Sequence, residues 1–159
     1  MRKLILTLVL AAGLMGLAGQ SWAADTAAIS VTVSLQEVVS VALDKDSWAI
    51  GSIALSGSDG PEAFTATNDG NVAIDLSISA TNAAGGWTIA ASAGADAFSV
   101  AVDSPAINLS TSGQSLAGNV AVSGAKAFNL TYNAPTSDSH GGGVSQGFSV
   151  AVSATKYVP

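Results

Sequence analysis

The stretch Val72-Ala73-Ile74-Asp75-Leu76-Ser77-Ile78-Ser79-Ala80 sends Val72, Ile74, Leu76, Ile78 and Ala80 to one side and Ala73, Asp75, Ser77 and Ser79 to the other. Successive side chains of a strand point to opposite faces, so this run describes a strand with one buried and one wet face. A helix would scatter the same residues around its circumference. The pattern repeats along the chain. Phe98, Val100 and Val102 alternate with Ser99, Ala101 and Asp103; Phe128, Leu130 and Tyr132 alternate with Asn129, Thr131 and Asn133; Phe148, Val150, Val152 and Ala154 follow. One wet face per strand is the signature of antiparallel sheets. Breaks at 56–60, 68–70, 85–86, 110–113 and 135–143 carry Gly, Asn, Asp, Ser and Pro, the residues of turns. Roughly eight or nine short strands at this spacing predict two packed antiparallel sheets or a barrel.

One connection can be read to its register. A three-residue loop Asn68-Asp69-Gly70 would pair Ala66 with Val72 and Phe64 with Ile74, and it would give the glycine the left-handed position of a type I turn with a bulge. Phe64 then faces the core.

The chain begins with Arg2 and Lys3, an apolar run from Leu4 to Leu17, and Ser21-Trp22-Ala23. That is the layout of a secretory signal peptide, 1–23, cleaved after Ala23, with residues 24–159 as a single domain. The apolar run is too short and glycine-interrupted for a span, so no membrane span is expected in the mature chain. Removing the signal leaves three lysines against eleven carboxylates, a formal charge of −8. Nucleic acid and anionic membranes, which need clustered Lys and Arg, are poor partners for such a surface. The chain has no cysteine, so packing, ions or neighbouring subunits must supply the stability that disulfides give many exported domains.

The strings Trp48-Ala49-Ile50-Gly51-Ser52-Ile53, Phe64-Thr65-Ala66-Thr67-Asn68 and Gly70-Asn71-Val72 resemble the immunoglobulin-like domains of the Hydin type. The signal peptide joined to a cysteine-free chain rich in small residues is similar, in layout, to camelysin-type subunits of bacterial biofilm matrix fibres. The first resemblance implies an all-β, immunoglobulin-like two-sheet antiparallel sandwich. The second implies an exported fibre subunit. Neither carries over a functional residue.

Catalytic chemistry finds little to work with. His140-Gly141-Gly142-Gly143 and Gly143-Val144-Ser145-Gln146-Gly147 imitate the oxyanion loop and nucleophile elbow of esterases. The two strings overlap at Gly143, a strand rather than a helix follows the serine, and no acid and histidine follow Ser145. One histidine and no cysteine exclude most zinc, iron and copper sites. No enzymatic activity and no obligatory cofactor are expected. Calcium is the candidate ion, because Asp44, Asp46, Asp59 and Glu62 supply hard oxygen ligands from neighbouring loops. Trp48 and Trp87 could stack on a glycan, or be buried as tryptophans at strand starts more usually are.

The N-terminal segment carries the functional expectation. Odd positions from Ile29 to Leu43 are apolar apart from Glu37, an alternation about three times a strand of roughly five residues. An extended N-terminal strand (24–36) either crosses between the sheets of its own sandwich or leaves the domain. In the second case Ile29, Val31, Val33 and Leu35 add to a neighbouring copy, and an unclosed head-to-tail contact of that kind makes a polymer. The sequence therefore points to a secreted structural subunit of an extracellular filament, matrix or surface layer. A monomeric calcium- or glycan-binding adhesion module, at the cell surface or in the periplasm, is the alternative.

Overall fold

Alternation becomes sheet structure in a computed structural model that describes residues 28–140 and 142–159, with no helix among them. The cleavage site expected after Ala23 and the first residues of the expected strand 24–36 lie outside the described residues. The chain divides into two units, Met1–Leu35 and Gln36–Pro159. In the first, residues 28–35 belong to no strand, and Ile29, Val31, Val33 and Leu35 are between 76% and 90% exposed.

The second unit contains nine strands among the described residues: β1 (Val41–Leu43), β2 (Ser58–Asn68), β3 (Ile74–Ala80), β4 (Thr88–Ile89), β5 (Ala97–Asp103), β6 (Ala106–Asn108), β7 (Gln114–Val120), β8 (Ala125–Asn133) and β9 (Val150–Lys156). They form two sheets, as a sandwich requires. One has the order β1-β2-β8-β5-β4, with β6 also pairing β5; the other has the order β7-β3-β9. The pairings are antiparallel except that of β4 with β5.

The inward faces are those that alternation marks, but Ser99, expected on the wet face of its strand, is buried as well, its hydroxyl accepting from Asn133 Nδ2 at 3.2 Å. Ile74, Leu76, Ile78 and Ala80 of β3 pack with Phe64 and Ala66 of β2, Phe98, Val100 and Val102 of β5, and Phe128, Leu130 and Tyr132 of β8. Full burial of a Leu, Ile or Phe side chain contributes about 1.5–3 kcal/mol. Phe64 lies opposite Phe128, their rings stacked with centroids 5.9 Å apart, and such a pair adds about 0.5–1.5 kcal/mol.

The hairpin expected at Asn68-Asp69-Gly70 does not form. β2 pairs with β1 and β8, whereas β3 pairs with β7 and β9, so residues 69–73 cross from one sheet to the other. Phe64 faces the core as expected, because its face depends on parity alone, but its partner is Phe128 and not Ile74. Asn68 explains the crossing. Its side chain is fully buried; its Nδ2 donates to the carbonyls of Val72, Val120 and Ala121 at 2.8, 3.0 and 3.1 Å, and its Oδ1 accepts from the Gly70 N–H at 3.0 Å. The amide thus ties the end of β2 to the start of β3 and the end of β7. Gly70 is not left-handed either. A Cβ there would lie 2.3 Å from the Val38 carbonyl oxygen, so close approach and not φ requires the glycine.

Asn71 fastens the entry of the second unit. Its Oδ1 accepts from the Val38 N–H at 2.7 Å, its Nδ2 donates to the Gln36 carbonyl at 2.8 Å, and its own N–H donates to the Val38 carbonyl at 3.0 Å. Glu37 pairs with Lys156 of β9 through both carboxylate oxygens.

Candidate functional site at an open sheet edge

Strand β9 ends its sheet. The Thr81 N–H donates to the Ser149 carbonyl and the Tyr157 N–H to the Ala73 carbonyl, both at 2.9 Å. In antiparallel alternation the odd residues from 149 to 157 therefore turn their main-chain groups toward β3. Val150, Val152, Ala154 and Lys156 turn theirs outward, where no main-chain hydrogen bond is made among the described residues. An unpaired edge of this kind is a template for a further strand.

A cleft of about 1160 Å³ opens beside that edge. Phe64, Phe128, Leu130 and Tyr132 form one side and Phe148, Val150 and Val152 the other, with residues 45–55 and 142–147 at its rim. Val150, Val152 and Ala154 face inward yet are only half-buried, whereas the facing positions of β3 are fully buried. Ring contacts stiffen this lining: Phe148 lies 4.7 Å from Phe98 and 5.8 Å from Tyr132 between centroids, and Trp48 meets Phe64 edge-on at 6.3 Å. Burial raises the Tyr132 hydroxyl above its ordinary pKa of 10.0.

Each sequence-proposed residue has a definite place. Asp44 accepts the Thr65 N–H at 2.8 Å, Asp59 accepts the Trp48 indole N–H at 3.0 Å, and Glu62 pairs with Lys45, while Asp46 is an exposed residue of the cleft rim. The residues that do converge are others. Among the described residues, Asp96, Asp138 and His140 are the group whose possible ligand atoms all lie within 4.8 Å of one another. Sequence spacing did not single out Asp96, which lies between β4 and β5, some forty residues from Asp138.

That cluster is densely hydrogen-bonded. Asp96 accepts the hydroxyl and N–H of Ser139, both at 2.6 Å, and these bonds, the hydroxyl first, hold its carboxyl below the ordinary value. Asp138 Oδ1 accepts the Trp87 indole N–H at 3.1 Å and the His140 N–H at 2.9 Å. His140 Nδ1 lies 3.4 Å from Asp96 and 3.7 Å from Asp138. Ser145 is exposed on the glycine loop and makes no hydrogen bond to His140. Trp48 and Trp87 are both half-buried at the cleft, each with its indole N–H bonded to a carboxylate.

No protein-family model, curated protein or solved structure matches the chain.

Proposed function

We propose that the protein is an exported, non-enzymatic structural subunit of an extracellular filament, matrix or surface layer. In this reading residues 1–23 are a cleaved signal peptide, and the two sheets form an immunoglobulin-like sandwich. Copies assemble when Ile29–Leu35 of one adds to the outer edge of β9 in the next. One observation carries the reading. A single chain holds both an exposed segment with four apolar side chains at strand spacing and, among the described residues, an unpaired strand edge beside a cleft that mixes aromatic and aliphatic side chains with polar ones. Main-chain bonds to Val150 and Val152 would supply affinity, and alternate side chains entering the cleft would supply register. The segment from Ala28 to Gln36 has no charge, so nothing repels it from an acidic partner.

The second reading, a monomeric calcium or glycan module, is favoured by the convergence of Asp96, Asp138 and His140 beside Trp87. Light scattering across protein concentration, with and without chelator, separates the two. Structural assembly gives growth with concentration that deletion of residues 24–35 abolishes. A monomer at every concentration, or growth that survives the deletion, would sink the strand-donation reading.

A further inference from the structure

The segment between β1 and β2 belongs to neither sheet, yet it carries Trp48, Ile50 and Ile53 against the same core as the strands. Its main chain is loosely held. From the Asp44 N–H, which donates to the Thr65 carbonyl at 3.1 Å, to the Ser56 N–H, which donates to the Pro135 carbonyl at 2.9 Å, residues 45–55 make no main-chain hydrogen bond outside their own turn among the described residues. Besides packing, three side-chain links fasten this stretch among the described residues: the Lys45–Glu62 ion pair, the Lys45 ammonium 5.5 Å over the Phe64 ring, and the Trp48–Asp59 hydrogen bond. Gly51 has φ of +74° with open space around it, which suits a flexing point. Few hydrogen bonds and a partly exposed main chain mark a segment that opens at low cost relative to the sheets.

The same segment lines the cleft together with Val150 and Val152. A strand added about 4.8 Å from β9 would send alternate side chains into that space. We propose that residues 45–55 are a strap that closes the acceptor cleft in the free subunit and swings out when a second copy's residues 29–35 pair with β9. The inference rests on the strand-donation reading and adds a control to it. Donor capture is weakened by the fraction of subunits whose strap is closed, so an exported subunit stays unassembled until its concentration overcomes that closure.

The experiment measures capture of a fluorescent peptide of residues 28–36 by the full-length protein, using anisotropy at a concentration below that of polymer growth. Asp59→Ala frees the Trp48 indole, and Lys45→Ala removes the ion pair. Either should tighten capture, the former about fivefold, the factor equivalent to losing one hydrogen bond of about 1 kcal/mol. The opposite arm locks the strap. In a Lys156→Arg background, which protects the Glu37 pair, a carbodiimide joins Lys45 to Glu62 as an amide with loss of one water. The joined protein should capture the peptide at least tenfold less well, while its unfolding midpoint does not fall. Equal capture by locked, parent and loosened proteins overturns the strap and leaves donation standing. No capture by any of them overturns donation and the strap together.

Discussion

Replacing Asn68 by alanine tests how the two sheets are joined. The amide has two hydrogens for three carbonyls and one oxygen for the Gly70 N–H, so three bonds' worth of interaction is lost rather than four. At about 1 kcal/mol net for each, and with the buried Val120 carbonyl left without that donor, the cost is about 3 kcal/mol. With a urea slope of about 1.5 kcal/mol/M, the midpoint should fall by about 2 M at unchanged slope. Asn68→Asp keeps the shape but turns an acceptor toward three carbonyls. It should be at least as damaging at neutral pH and should recover in acid, where a protonated carboxyl can donate again. Asp69→Ala, one residue along and exposed, should stay within about 0.5 kcal/mol of the parent. A midpoint within about 0.3 M of the parent for Asn68→Ala, or an aspartate variant as stable as asparagine at pH 7, would refute the corner as described.

Three other outcomes follow from the same geometry. Gly70→Ala should cost about 1–3 kcal/mol, because its Cβ would meet the Val38 carbonyl oxygen at 2.3 Å, and faster amide exchange at Val38 would localise the damage; an unchanged midpoint would rule out that close approach. Asp103 accepts the main-chain and side-chain N–H groups of Asn129 at 2.8 and 2.6 Å, which, main chain first, hold its carboxyl below the ordinary 3.8. A lowered folded value means stabilisation that is present above the unfolded pKa and lost as pH falls through the folded one. Acid titration of unfolding midpoints should therefore show a decline below about pH 4 that is shallower in Asp103→Asn and shallower still with Asp96→Asn added. Ser145→Ala and His140→Ala should leave hydrolysis of an activated ester at the buffer rate, as in the parent; a parental rate above buffer that either variant loses would restore the esterase reading.

The inward face of each long strand was legible in the sequence, because the period of two is a local property of the backbone. Phe64, the even positions of β3, and the runs Phe98 to Val102 and Phe128 to Tyr132 all turn the way alternation says. The cleft's aromatic lining was visible in part for the same reason. Which strands neighbour one another was not legible, since pairing depends on closure between distant segments. Asn68-Asp69-Gly70 has the composition of a tight hairpin, yet Asn68 satisfies a carbonyl 52 residues away and the chain changes sheets there. The carboxylates Asp44, Asp59 and Glu62 read as candidate ion ligands by spacing, and only the fold shows the protein donor that each meets: an amide, an indole and a lysine. The sequence alone determined strands, faces and an apolar N-terminal segment. Only the tertiary structure decided that β9 would be left with an open edge among the described residues and that residues 45–55 would line the cleft beside it, because an edge exists only once every other strand has found its partner.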